Sequence, residues 1–216
     1  MLNMIKKSAD CGQSSAQKSN RSSSFLKKLW NNKDGVAAIE FAFVAPVMIA
    51  LYIGLAEVSL LISADRNVSH AASVTGDLAT QEENLSRSDV EDIFNASLAV
   101  MGTNLTDSQR VSIDIISFEV DSSNTIVEVG YAKLGTGLGA KFDPSGTSAT
   151  LLNQTSGLVV TRIKYEYHSP SRTYVQTPSL TETFMLKPRK SKSIPFGPAN
   201  ITCSVVNGAN GPRANC

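Results

Sequence analysis

From Val36 to Ile62 the chain reads VAAIEFAFVAPVMIALYIGLAEVSLLI, apolar except for Glu40, Glu57, Ser59 and the hydroxyl of Tyr52. A helix of this length, rising about 1.5 Å per residue, extends about 40 Å and exceeds the roughly 30 Å hydrocarbon core of a bilayer. A buried core helix in a soluble domain needs only about 10 to 14 apolar residues and keeps a polar face. This run has no such face, so a transmembrane helix over residues 36–62 is the element around which the rest of the fold must be arranged.

The formal net charge of +1 conceals an uneven layout. Residues 1–34 hold Lys6, Lys7, Lys18, Arg21, Lys27, Lys28 and Lys33 against Asp10 and Asp34. Cations just before a span mark its cytoplasmic side. A basic head can also attract nucleic acid, but the interleaved Gln13, Ser14, Ser15 and Gln17 offer no aromatic surface for base stacking. No nucleic-acid partner is therefore expected. Residues 6 to 24 bury too little apolar surface to offset chain entropy, so residues 1–35 read as a disordered cytoplasmic leader. The rival is a cleaved secretory signal ending near Ser69-His70-Ala71. Its apolar stretch would be too long, and its basic region unusually extended.

Beyond Ile62, Ala64, Val68, Ala71, Ala72, Thr75, Leu78 and Ala79 recur at helical spacing, which continues the helix as a stalk with a small-residue face. A second helix is expected from Ser88 to Met101, capped by Ser88 with Glu91 three residues on and closed by Gly102. These elements make up residues 63–105. The period then changes to two. Val111, Ile113 and Ile115 alternate with polar residues, Ile116, Phe118 and Val120 continue on the other parity, and the switch suggests a bulge. Asp121 to Asn124 form a turn into Val127, Val129 and Tyr131, which predicts a hairpin over 110–132. Gly130, Gly135, Gly137, Gly139 and Gly146 suggest a long flexible loop. Val159 to Tyr167 give a clear strand, Glu182 to Leu186 a last one, and the Gly, Pro and Asn content from Pro195 onward suggests a flexible tail. The fold class is α+β: a long N-terminal transmembrane and stalk helix, then a small antiparallel-sheet domain over 106–216, outside the cytoplasm.

Of three cysteines, Cys11 lies in the leader, while Cys203 and Cys216 flank a short loop. In an oxidising compartment their pairing is feasible and stabilises by about 3 kcal/mol in the chain-entropy model. Two unpaired thiols are the alternative. His70 and His168 belong to no recognisable nucleophile or metal arrangement, and Gly135-Thr136-Gly137-Leu138-Gly139 lacks the Lys-Ser/Thr ending of a phosphate loop. No enzyme activity, cofactor or metal is expected.

The two carboxylates in the apolar run carry more information. A charge inside a membrane segment costs a few kcal/mol unless it is paired, so it usually marks a function. Glu40 must find a partner or stay wet at the cytoplasmic headgroups. Glu57 lies far enough along to snorkel to the opposite interface, with a pairing role as the alternative. Pro46 removes a helical hydrogen bond and is expected to kink the span.

The stretch Lys33-Asp34-Gly35-Val36-Ala37-Ala38-Ile39-Glu40-Phe41 resembles the processing site of type IV prepilins. The resemblance implies cleavage by a prepilin peptidase between Gly35 and Val36 and makes Glu40 the assembly carboxylate. The new ammonium of Val36 would then lie one turn from Glu40 and within reach of a neighbouring subunit. The longer string through Ile62 is similar to the TadE-like family of tight-adherence (Flp-type) pilus systems. Its marks here are Gly35, Glu40-Phe41-Ala42, Pro46 and Glu57. This implies a minor pilin or pseudopilin of the bacterial inner membrane, with pilin subunits and the pilus assembly machinery as partners. The long leader and large C-terminal domain depart from the major pilin pattern. The alternative is an uncleaved signal-anchored envelope protein whose outer domain is a binding module.

Overall fold

A computed structural model describes residues 35–102, 110–146, 157–170, 176–208 and 211–216. The expected disordered leader, apart from Gly35, lies outside the described residues. The chain divides into two units, residues 1–51 and 52–216.

In the first unit the described part is Gly35 and the opening turns of α1 (Val36–Gln81). Its large side chains, among them Phe41, Phe43, Val47 and Ile49, stand exposed. Nothing in the sequence interrupts helical geometry there except Pro46, and α1 runs on through it.

The second unit holds the rest of α1, a short strand β1 (Leu85–Ser86), helix α2 (Arg87–Met101) and a six-stranded sheet. From Val68 onward α1 turns small residues inward: Val68, Ala71, Ala72, Thr75, Gly76 and Ala79 are buried. Their size lets the backbone come close to its neighbours. A Cβ added at Gly76 would lie 2.6 Å from Leu186 Cδ1 and 3.2 Å from Thr161 Oγ1. The helix end is fixed from outside: Arg189 N donates to Thr80 O at 3.2 Å, and the Arg189 guanidinium pairs with Asp77.

The cap of helix α2 lies two residues earlier than the sequence suggested. It is Ser86, not Ser88, and the capping box closes through Asp89, not Glu91. The reason is long-range: β1 pairs in parallel with β6 (Phe196–Gly197), which holds Ser86 extended as a cap must be. The two Ser86 hydrogen bonds keep the Asp89 carboxyl below the usual carboxylate range. Val90, Ile93, Phe94, Leu98 and Met101 form the buried face, and Thr75 Oγ1 hydrogen-bonds Ser97 Oγ across the two helices.

The sheet runs β5 (Ser179–Leu186), β4 (Leu158–Glu166), β2 (Val111–Val120), β3 (Ile126–Leu134), β7 (Asn200–Gly208), β8 (Gly211–Asn215). Every pairing is antiparallel except β3 with β7. The change of parity in β2 is not a bulge at Ile115-Ile116, because β2 pairs with β4 residue for residue from Val111 to Phe118. Instead the strand is buried along nearly its whole length and each of its faces is apolar over half of it. Val111, Ile113 and Ile115 join the core under the helices, whereas Ile116, Phe118 and Val120 join a second cluster with Tyr131, Leu158 and Val160. The register does shift, between Ser117 and Phe118, and the extra residue is Val129 on β3.

The first half of that second face is polar and is closed by the glycine segment that the sequence suggested was a flexible loop. Gly130 is in fact part of β3, and a Cβ there would fall 2.4 Å from Phe196 Cδ1. Beyond it, Gly137 N donates to Ser112 Oγ at 2.7 Å, Lys164 Nζ to Gly137 O at 3.0 Å and Arg162 to Ala140 O at 2.9 Å. Beneath the segment Arg162 pairs with the buried Asp114, which also accepts from Tyr131 Oη at 3.4 Å. Burial pushes the Asp114 carboxyl up against the pull of Arg162, and burial with the Asp114 charge pushes the Tyr131 phenol up to about 12.

The tail beyond Pro195 also differs from expectation. It supplies β6, β7 and β8, with Phe196, Ile201, Cys203 and Ala214 in the core. The Cys203 and Cys216 sulfurs are bonded at 1.98 Å. The chain end is held on α2: Ala214 N donates to Asn95 Oδ1 at 2.8 Å and the Arg87 guanidinium to Cys216 O at 2.6 Å.

Candidate membrane and assembly segment

Helix α1 takes its first residue directly after Gly35, so Val36 occupies the exposed start of a helix. Gly35 itself has open space where a Cβ would project. Glu40 lies four residues on, one turn along the same side of the helix, and is exposed. Phe41, Ala42 and Pro46 follow, exposed as well. In this unit the side chains of the motif therefore face outward together and none is occupied in a core of its own unit. A carboxylate in the first turns of a helix is favoured by the positive end of the helix dipole.

Polarity is inverted further along. Phe43 is 76 % exposed, whereas Glu57, the second carboxylate of the run, is only 3 % exposed. A helix with water around it would present these groups the other way round. Among the described residues, α1 is the one helix long and apolar enough to cross a membrane, and its most apolar window has no part buried. Lipid is the solvent in which exposed Phe, Ile, Leu and Val and a sheltered carboxylate are both favourable.

The place of Glu57 corrects the snorkelling expectation. Its side chain is enclosed by the second unit, and its charge joins burial in raising the Tyr167 phenol above the usual range. Tyr167 is buried and packs edge-on against Tyr165, with ring centroids 6.4 Å apart. Tyr167 ends the strand-like alternation that starts at Val159, and that local pattern carries no sign of its place beside Glu57. The available signal was the helical spacing Glu57, Ala64, Val68, Ala71, which puts the carboxylate on the side of α1 that meets the sheet. The structure thus brings Val36 near Glu40 and Glu57 near Tyr167, while the Cys203–Cys216 bond lies at β7 and β8. Among the described residues no group of His, Cys, Asp and Glu could hold a metal ion.

Residues 35–76 match the family model of TadE-like proteins. This segment is TadE-like. The match covers about a fifth of the chain, begins at Gly35, and runs past the apolar stretch into the small-residue face as far as Gly76. The TadE-like region thus contains the exposed motif, the enclosed Glu57 and most of the buried residues of α1. No curated protein and no solved structure matches the chain. The TadE-like region associates the protein with tight-adherence pilus systems, and its apolar helix fits a membrane-anchored chain.

Proposed function

We propose that the protein is a minor pilin or pseudopilin that acts in assembly of a tight-adherence pilus. It is anchored in the bacterial inner membrane by the apolar half of α1. Residues 1–35 form a cytoplasmic leader, and the sheet domain stands on the periplasmic side. The observation that carries this reading is the TadE-like match beginning at Gly35, where α1 also begins. Prepilin peptidase cuts between Gly35 and Val36. Glu40 then pairs with the amine so released, on its own helix or on a preceding subunit, which favours ordered insertion in a low-dielectric bundle. The Cys203–Cys216 bond suits an oxidising compartment and supports the orientation. The chain is a structural and assembly component rather than an enzyme.

The test is the N-terminal sequence and intact mass of membrane-extracted protein from cells with and without prepilin peptidase. A peptidase-dependent start at Val36 is expected. A start at Met1 in both strains would replace the pilin reading with an uncleaved anchor, and a start near Ala72 would remove the anchor altogether.

A further inference from the structure

A groove of about 370 Å³ opens in the second unit between α1, the end of α2 and the end of β4. Leu60, Ala64, Val68 and Met101 give it an apolar wall, and Ser63, Asn67, Tyr167 and His168 a polar one. Its upstream wall is continuous with the lipid-facing part of α1: Leu60 lines the groove and is itself half exposed, and Leu55, Val58 and Ile62 beside it are exposed too. The apolar run ends at Ile62, so the groove lies where the helix passes from hydrocarbon to water, a zone in which tyrosine is favoured for its apolar ring and polar tip. A site with one oily and one hydrogen-bonding wall at that level is complementary to an amphipathic molecule.

We infer that this groove seats one phospholipid of the outer leaflet. Its phosphate and glycerol lie toward Asn67, Ser63 and His168, and its first methylenes lie along Leu60, Ala64 and Val68. The volume is at the low end for ligand sites and accommodates the headgroup region rather than whole acyl chains. The inference rests on the membrane-anchored reading and adds a ligand to it: the lipid would fix the height at which the domain leaves the bilayer.

The probe is palmitoyl-oleoyl phosphatidylethanolamine, added to the full chain in mild detergent and followed by native mass spectrometry. One retained lipid is expected, with occupancy about tenfold lower in Ala64→Trp, which fills the groove, and unchanged in Asp65→Trp on the exposed side. Equal occupancy in all three overturns the site. A photoreactive residue at Asn67 in intact cells gives a second reading that does not depend on how Ala64→Trp folds. An adduct with the mass of a phospholipid supports the site. An adduct with a second copy or another protein, or no adduct, overturns it. Alkaline extraction separates the two levels: a chain that stays in the membrane without a lipid adduct loses only the groove, whereas a chain released by alkali loses the anchored reading as well.

Discussion

Helix α1 contains two opposite solutions to burial. Upstream of about Leu55 its large side chains are exposed and its size is spent outward; downstream of Val68 it presents Ala, Gly and Thr to a closed protein core. The same backbone is therefore built for two solvents. In the first stretch bulk suits fluid, apolar surroundings such as lipid, and in the second it is excluded because the surroundings are fixed. Glu57 stands at the changeover, turned toward the domain and away from the exposed side chains.

The contrast can be broken most forcefully from the lipid side. Val47→Arg puts a guanidinium in the middle of the apolar run and should cost about 2.5–3.5 kcal/mol of insertion. The expected readout is a marked loss from the alkali-resistant membrane fraction, while a chain with water around this stretch would show no loss. On the protein side, Ala72→Phe should overpack a fully buried position and lower stability by about 1–3 kcal/mol, seen as a lower denaturant midpoint at unchanged slope. Ala50→Phe, the same change upstream, should leave that midpoint where it was. Equal effects at the two alanines would erase the distinction.

Thr75→Val should cost about 1 kcal/mol by leaving Ser97 without its partner across the helices, and adding Ser97→Ala should recover part of the loss. The smallest effect concerns the start of α2, which packs beside the downstream half of α1. Folding favours the ionised Asp89, whose carboxyl is held low by Ser86. Its contribution is present above the unfolded carboxyl pKa and fades as pH falls through the lowered folded value. Between neutral and acidic pH, Asp89→Asn should flatten the stability profile by about 0.5 kcal/mol, measured from denaturant midpoints.

What could be read from the sequence followed from local rules. The apolar run, the small-residue face of Val68 to Ala79 and the hairpin around Asp121 to Asn124 are each set by neighbours a few residues away, and the structure has them. Asp121 accepts from the Ser123 and Thr125 amides, and Asn124 takes a positive φ of 61°. What was misread depends on distant partners. Ile201, Cys203 and Val205 alternate as a strand should, but the glycines, prolines and asparagines around them dominated the composition. Only pairing with β3, some 70 residues earlier, makes that stretch a core strand. Ser86 became the cap for a similar reason, and Gly137 is held by Ser112 and Lys164, which no short window contains. The TadE-like segment was recognisable because its pattern is set by order along one short stretch of chain. The enclosure of Glu57 was not, since the sheet domain supplies it.

The parallel pairing of β3 with β7 has a consequence for the order in which the sheet closes. Strands β2 to β4 cannot complete their sheet until Ile194, Phe196, Ile201 and Ala214 arrive, and these follow β3 and β4 in the chain. A chain that emerges from its N-terminal side would hold this core open until β7 and β8 follow. During that interval the free side of β3 is an unpaired strand edge. Deleting residues 197–216, which carry β7 and β8, would therefore yield a chain arrested in that open state, in need of a chaperone, rather than a smaller finished domain.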